Sequence, residues 1–313
     1  MKVLFMGTPD FAATALKEVI KHHEVVAVIS QPDKPKGRGK KLQPTPVKIV
    51  AQDNNIPVYQ PYKIKEDEFV DFLESFEAEI FVVVAYGQIL SDRILNMPKY
   101  GCINVHGSLL PSYRGAAPIQ WSIINGDDIT GVTIIYLKSG KVDSGPMILK
   151  HEMQIEPNET SGELFERMAP IGAKALIEAM ELIKNGDVKA EIQDEDKATY
   201  TTMIRKEMSQ IDWNRPSKDI KNMIRGLNPA PSASTMLNDE VLKIHEVDII
   251  DCDTKAVAGE IIEVDNKRGI VVKTGDGSII IKTLQARGGK KMSASDYLRG
   301  HSIEVGTILG VLL

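Results

Sequence analysis

The stretch IFVVVAY, residues 80–86, is the most apolar short run in the chain and the best guide to its fold. A short run rich in β-branched residues predicts a strand covered on both faces, as the central strands of parallel sheets are. The segment CINVHGS, residues 102–108, predicts the next strand. These two segments therefore place the middle of a sheet between residues 80 and 108.

Strand and helix patterns alternate on both sides of this pair. KVLFM and VVAVIS, at residues 2–6 and 25–30, predict buried strands, and residues 11–21 between them predict a helix. This alternation is typical of βαβ units and a mainly parallel sheet. Later segments predict a helix over residues 118–126, strands in VTIIYL and MILKHEMQI, and a helix over 160–184 that begins with a capping box of Thr160 and Glu163.

A change of character near residue 206 predicts a second domain. The polar run NGDVKAEIQDEDKATY, residues 185–200, offers few apolar anchors and predicts a linker. Beyond it, one helix in SKDIKNMIRGL precedes short strand patterns separated by turn signals, which favour a small OB-like β-barrel. We therefore expect a Rossmann-like α/β domain at residues 1–205, with a linker at 187–205, and a barrel domain at 206–313.

Composition excludes several classes of protein. The formal net charge of -5 argues against a protein that coats nucleic acid, although it allows a local basic patch. Cys102 and Cys252 stand far apart, so neither a disulfide framework nor a zinc site is supported, and no metal is expected. No signal peptide pattern and no apolar run of membrane-spanning length occur, so we expect a cytoplasmic protein, and the lack of a long apolar stripe favours a monomer.

Two polar side chains in the second of the central strands are the main candidates for chemistry. Because side chains alternate along a strand, Asn104 and His106 share one face at its C-terminal end. In open parallel sheets, ligands bind in the crevice beyond that end. The alternative is that both side chains only hydrogen-bond loop backbone groups at the strand end, since most histidines are structural. Asp143, in KVDSGPM, is the acidic partner that could orient His106.

Other kinds of active site fit poorly. Ser108 follows the histidine but lies outside a Gly-x-Ser-x-Gly elbow, and Cys102 is interpreted as a core residue. Gly7 stands alone where a dinucleotide fingerprint has three glycines, which disfavours a nicotinamide enzyme. What remains is direct transfer between two bound substrates, with Asn104 donating to a developing oxyanion and His106 as the acid-base group.

A family resemblance runs through the chain from residue 4 to residue 300. FMGTPDFA, QPDKPKGRGKKLQPTPVK, VVVAYGQIL, INVHGSLLPSYRGAAPIQ, DSG, RGLNPAPSA and RGGKKMSASDYLRG stand in the order found in bacterial methionyl-tRNA formyltransferases, which the chain resembles. The resemblance implies 10-formyltetrahydrofolate as formyl donor, methionyl initiator tRNA as acceptor, and no metal. It maps the catalytic asparagine, histidine and aspartate onto Asn104, His106 and Asp143. It maps the folate contacts onto Ser108, Leu109, Leu110, Pro111, Tyr86 and Gly87.

Candidate RNA contacts come from two basic segments. The first is the Gly/Pro-rich segment DKPKGRGKKLQPTPVK, whose basic residues can contact phosphates. The alternative interpretation of this segment is a solvated loop without a binding role. The second is ARGGKKMSAS in the barrel domain, although that domain as a whole is balanced in charge. The predicted contacts are Lys34, Lys36, Arg38, Lys40, Lys41, Lys290 and Lys291.

Two alternatives remain open at this level. Another folate-dependent formyltransferase, acting on glycinamide ribonucleotide or an amino sugar nucleotide, would share Asn104, His106 and Asp143 but would have no use for the basic loop. An inactive RNA-binding module would not need the three polar residues intact.

Overall fold

The computed structural model describes residues 1–36, 41–252 and 255–310. The chain divides into two compact units. The first comprises Met1–Pro118, Ile129–Gln154 and Phe165–Thr201, and the second comprises Ile119–Asp128, Ile155–Leu164 and Thr202–Leu313. Over the described ranges, no helix is long and apolar enough to cross a membrane.

Strands and helices alternate along the first two-thirds of the chain, as the sequence predicts. In chain order the elements are β1 Lys2–Gly7, α1 Asp10–His22, β2 Glu24–Ile29, β3 Lys34–Lys36, β4 Lys41–Gln43, α2 Pro46–Asp53, β5 Val58–Tyr59, α3 Asp67–Glu74, β6 Ile80–Val84, α4 Asp92–Leu95, β7 Cys102–His106, β8 Arg114–Gly115, α5 Pro118–Ile124, β9 Ile129–Tyr136, β10 Met147–Gln154, α6 Ser161–Asn185 and β11 Tyr200–Thr201. Short 3-10 turns occupy Glu195–Lys197 and Lys206–Ser209.

The main sheet of the first unit has the strand order β10-β9-β7-β6-β1-β2-β5. The strands β5, β2, β1, β6 and β7 pair in parallel, whereas β9 pairs antiparallel to β7 and β10 antiparallel to β9. All five residues of β6 are buried, and the strand lies in the middle of the order. The predicted central strand and the mainly parallel sheet are thus confirmed.

The long helix α6 begins where the sequence predicts. The Glu163 carboxylate accepts hydrogen bonds from the backbone N–H and the hydroxyl of Thr160, at 2.9 and 2.7 Å, and Glu163 N–H donates to the Thr160 hydroxyl at 3.3 Å. This reciprocal capping box satisfies backbone groups that a helix leaves open at its start. At the other end Gly186, with φ of +78°, adopts the left-handed conformation that ends helices.

The polar segment predicted as a linker is held by polar contacts instead of apolar ones. Glu191 forms a two-way backbone bridge with Met147, with both N–H to O distances 2.8 Å. Further along, β11 pairs in parallel with β8, and Gln193 is 4% exposed. The segment is low in apolar residues because hydrogen bonds hold it in place.

The second unit contains the predicted small barrel. Its elements are α7 Ser217–Gly226, β12 Ala233–Leu237, β13 Glu240–Ile250, β14 Ile261–Asp265, β15 Gly269–Lys273, β16 Ser278–Ala286, β17 Met292–Ser293 and α8 Ala294–Leu298. The antiparallel sheet runs β12-β13-β16-β15-β14, with β17 added to β16.

A C-terminal segment connects the two edges of this sheet. Gly310 bridges Met236 of β12, and Ile308 bridges Glu260 immediately before β14. Inside lies a cluster of buried apolar residues that includes Trp213, Ile244 and Ile279. The closed arrangement agrees with the predicted OB-like barrel, because closure removes the open edges that antiparallel sheets otherwise expose.

Candidate active site

The candidate site lies at the C-terminal end of β7. The strand is fixed from both sides, with Val83 of β6 opposite Asn104 and Thr133 of β9 opposite His106. Asn104 is partly exposed and His106 is buried. Their two-residue spacing on a strand places both side chains on the same face, as the sequence predicts.

His106 has a partner at each ring nitrogen. Nε2 lies 2.9 Å from the carbonyl oxygen of Tyr113, and Nδ1 lies 3.5 Å from Oδ2 of Asp143. A carbonyl can only accept, so Nε2 carries a hydrogen in this arrangement. The Asp143 carboxylate lies where it can accept a hydrogen from Nδ1. The two partners therefore hold the imidazole in one orientation.

Asp143 is presented by a loop between β9 and β10. Its φ is +51°, in the left-handed region that aspartate tolerates better than most residues. Besides facing His106, Oδ2 accepts a hydrogen bond of 2.9 Å from the backbone N–H of Gly115. The carboxylate is thereby fixed between the imidazole and a loop amide, and the predicted pairing of Asp143 with His106 is present in the structure.

Asn104 has a different environment. Within residues 1–36, 41–252 and 255–310, its side-chain amide makes no hydrogen bond to the protein. A half-exposed amide next to a buried imidazole at a strand end is available to donate to a bound molecule. This is the arrangement that an oxyanion donor requires before substrate arrives.

The loop after β7 is held rigidly beside His106. The Thr133 hydroxyl accepts from the Leu110 N–H at 3.0 Å and donates to the Ser108 carbonyl at 2.7 Å. The Ser108 hydroxyl donates to the Ser112 carbonyl at 2.6 Å, and the Pro111 carbonyl accepts from the Thr199 N–H at 3.2 Å. Ser108, Leu109, Leu110 and Pro111 thus form a fixed wall, with the Leu110 side chain in the core.

Tyr86 and Gly87, the other predicted folate contacts, follow β6. The Tyr86 side chain is only 2% exposed and packs in the core of the first unit, where burial raises the pKa of its hydroxyl. Its carbonyl accepts hydrogen bonds from Thr8 and Gln31, both at 3.2 Å. The phenol ring is therefore enclosed by the core. Gly87, with φ of +87°, lies in a turn with open space above its Cα.

A buried arginine beneath the site was missed at the sequence level. Arg114 is fully buried. Its guanidinium donates to the side chains of Gln193, Tyr200 and Glu195, at 2.9, 3.0 and 2.7 Å. These three acceptors bind the N–H groups of the guanidinium and so offset the free energy that burying its charge would otherwise cost. The sequence signal for a buried arginine was its position in a motif of mostly small and apolar residues. Its acceptors, however, lie in the segment interpreted as a linker.

Glu195 connects this arginine to the surface. Its second carboxylate oxygen lies 2.6 Å from Nζ of Lys141. Hydrogen bonds from Arg114 first, and then from Lys141, lower the pKa of Glu195 to about 2. The same contacts raise the pKa of Lys141 and of Arg114. Lys141 stands two residues before Asp143, so the ion pair also ties down that loop.

The predicted RNA contacts fall in two places. The strands β3 and β4 form an antiparallel hairpin in which Lys36 pairs with Lys41. Lys34 is exposed at the base of this hairpin, whereas Arg38 and Lys40 lie outside the described residues. Nearby Lys48 is already neutralised, because its Nζ lies 2.7 Å from Asp33 Oδ2.

Lys290 and Lys291 are exposed on the turn between β16 and β17. Lys291 lines a cleft of about 230 Å³ in the second unit, in which basic and acidic residues mix. Its charged or titratable lining residues are Glu163, Lys221, Arg225, His245, Glu246, Asp248 and Lys291.

In the described part of the chain, no group of three or more His, Cys, Asp or Glu side chains could hold a metal ion. Cys102 is buried, which raises the pKa of its thiol to about 12. Its Sγ faces the carbonyls of Ile94 and Leu95, both at 3.6 Å, as expected for a core residue.

Comparison with known proteins identifies the same two parts. Residues 1–180 match the formyl transferase family, and residues 203–302 match the formyl transferase C-terminal domain. The chain is 46% identical over 311 residues to a methionyl-tRNA formyltransferase of Clostridioides difficile, covering 99% of this chain and 100% of the relative. It is 47% identical over 308 residues to one of Agathobacter rectalis, covering 98% and 99%.

Among solved structures, the N-formyltransferase of Helicobacter canadensis shares the fold. The TM-score is 0.65 at 19% identity, over 92% of this chain and 100% of that one.

The depressed pKa of Glu195 makes one contribution to stability dependent on pH. A carboxyl whose pKa falls from 4.5 to about 2 on folding stabilises the native state above about pH 4.5, and this is lost as the pH falls towards 2. Glu195→Gln removes the charge at every pH. We expect the difference in Tm between wild type and this variant to be constant from about pH 8 to 5 and to shrink below about pH 4.5.

Thermal unfolding followed by circular dichroism across this range measures that difference. Glu166→Gln, at an exposed position of α6, is the control. An equal Tm difference at about pH 7 and pH 3 would contradict the role given to these ion pairs.

Proposed function

Because the chain belongs to the methionyl-tRNA formyltransferase family, we propose that Asn104, His106 and Asp143 carry out the transfer of a formyl group from 10-formyltetrahydrofolate to the amino group of methionyl initiator tRNA. The family match extends over both units and almost the whole length of each relative. This shared length favours tRNA formylation over transfer to a small amine.

The observation that carries the residue assignment is the trio at the end of β7. A buried imidazole has a carboxylate at 3.5 Å on one side, and a side-chain amide without a protein partner stands two residues away on the same strand face. Structural hydrogen bonding alone accounts for a histidine at a strand end. The partly exposed amide beside it adds a donor that the protein itself does not use.

The reaction sets three demands on these side chains. The methionyl amine must be neutral to attack, negative charge develops on the formyl oxygen, and the folate nitrogen must be protonated to leave. Asn104 donates a hydrogen bond to the developing oxyanion, a contact worth about 3 to 4 kcal/mol when the donor is preorganised. His106 supplies the proton to the leaving nitrogen, and the Asp143 carboxylate stabilises the charged ring. The proton that the amine loses passes through Asp143 back to His106, which restores both groups.

The loop from Ser108 to Pro111 suits the donor's binding site. Its hydrogen bonds to Thr133 and Thr199 hold the backbone in place before any ligand arrives. A preformed wall lowers the entropic cost of binding and holds the formyl carbon near its reaction partner. Of the predicted contacts, Tyr86, Ser108 and Leu110 contribute only through their backbones in this proposal, because their side chains are buried.

The acceptor's tRNA would be bound by basic residues of both units. Lys34, Lys36 and Lys41 belong to β3 and β4, and Lys290 and Lys291 stand on a barrel turn. Arg38 and Lys40 remain candidates from the sequence alone. In this proposal residues 1–205 carry the chemistry, and residues 206–313 contribute binding of RNA.

A comparison of acceptors tests the function. With 10-formyltetrahydrofolate as donor, kcat/KM is measured for methionyl initiator tRNA, glycinamide ribonucleotide and an amino sugar nucleotide. We expect methionyl-tRNA to be preferred by at least about 1,000-fold. A small amine that matched or exceeded the tRNA would support the alternative transferase, and a lack of transfer to all three would support an inactive RNA-binding module.

Removing either polar group of β7 tests the chemistry. Asn104→Ala and His106→Ala should each lower kcat by about 100-fold or more, because the lost interactions act mainly in the transition state. Binding of the folate should change by less than about three-fold. Steady-state kinetics with a folate titration measures both, and near-normal turnover in either variant would refute that residue's assignment.

The RNA role of the barrel turn is tested by charge removal. The double variant Lys290→Ala, Lys291→Ala should raise KM for methionyl-tRNA several-fold at low salt and less at high salt, with kcat unchanged, since phosphate contacts weaken as salt rises. Lys174→Ala, at an exposed position of α6, is the control. A KM equal to that of wild type at low salt would place the RNA elsewhere.

A further inference from the structure

We propose that Gln193 is a positioning residue for the transfer reaction: it holds the loop that aims the Asp143 carboxylate, and buried Arg114 fixes the orientation of Gln193. The inference rests on the proposed role of Asp143. Neither Gln193 nor Arg114 is assigned contact with a substrate.

Gln193 directs both hydrogens of its amide at one loop. Nε2 lies 2.7 Å from the carbonyl oxygen of Asp143 and 2.7 Å from that of Gly145, so the two bonds grip the backbone on either side of Ser144. The side chain is almost fully buried, and these two acceptors use the whole donor capacity of its NH₂ group.

The loop is strained at Asp143, so hydrogen bonds that hold its backbone matter there. Asp143 has a φ of +51°, a conformation that residues other than glycine adopt at an energetic cost. A small rotation towards a relaxed backbone would swing the carboxylate away from His106 Nδ1 and the Gly115 N–H. Binding the Asp143 carbonyl itself opposes that rotation directly.

Arg114 determines which end of the amide faces the loop. Its Nε donates to Oε1 of Gln193 at 2.9 Å, and a guanidinium can only donate. The oxygen is therefore committed to Arg114 and the NH₂ group to the loop. Glu195 and Tyr200 accept the other guanidinium hydrogens, which fixes Arg114 in turn.

Two substitutions separate positioning from general stabilisation. Gln193→Ala removes the whole contact. Gln193→Glu keeps the size and the acceptor for Arg114 but replaces the two donated hydrogens by an oxygen that repels the loop carbonyls. Gln52→Ala, at an exposed position of α2, is the control. Each variant is measured for Tm, for KM of folate and of methionyl-tRNA, and for kcat.

We expect both Gln193 variants to lose at least about 10-fold in kcat while each KM stays within about two-fold, and the control to match wild type. Retention of wild-type kcat by folded Gln193→Glu would overturn the inference, even if Gln193→Ala were impaired.

A double-mutant cycle with Asp143→Asn, measured under single-turnover conditions, distinguishes the two levels of the account. If Gln193 acts through Asp143, adding Gln193→Ala to Asp143→Asn should lower the rate no further. Additive losses would show a merely structural role and overturn the inference, with the role of Asp143 intact. Near-normal turnover of Asp143→Asn itself would overturn the proposed role of Asp143, and this inference with it.

Discussion

The pairing of β7 with two different neighbours is the constraint on which the candidate site depends. On one side β7 runs parallel to β6, and on the other side it runs antiparallel to β9. This double pairing fixes the strand's register, and a shift of one residue would turn Asn104 and His106 to the other face. Because β9 turns back beside β7, Thr133 stands next to His106 and can fasten the loop that follows.

Polar contacts hold both loops that border the site. The loop after β7 is bonded to Thr133 and Thr199, and the loop with Asp143 is bonded to Gly115 and Gln193. The segment from Glu191 to Thr201 thus touches both loops that border the site. Fully satisfied polar networks of this kind are rigid, and they specify one arrangement where apolar packing would allow several. A site that must place three side chains together gains from such a frame.

The sequence was sufficient to predict the helices and strands that follow from a regular pattern of apolar residues. The apolar run at residues 80–86, the alternation in β7 and the capping box at Thr160 each follow from local rules, and the structure has all three. It was also sufficient for Asp143 opposite His106, because an imidazole at a strand end calls for an orienting carboxylate and the resemblance pointed to the same residue.

The sequence was insufficient where contacts join distant polar residues. Arg114 and Gln193 are 79 positions apart, and neither a buried arginine nor its amide partner leaves a periodic signal. For the same reason, the polar segment that the structure anchors by hydrogen bonds was interpreted as a linker. The sequence also gave no indication that the Tyr86 ring is buried, since a motif gives a residue's position in the chain and not the direction of its side chain.

The most direct test of the account is a crystal structure of the protein with 5-formyltetrahydrofolate, a stable analogue of the donor. We expect a folate ring against the wall from Ser108 to Pro111, with N10, the atom that carries the formyl group in the donor, beside Asn104 and His106. A folate whose N10 lay beyond the reach of both side chains would contradict the assignment of the active site to the end of β7.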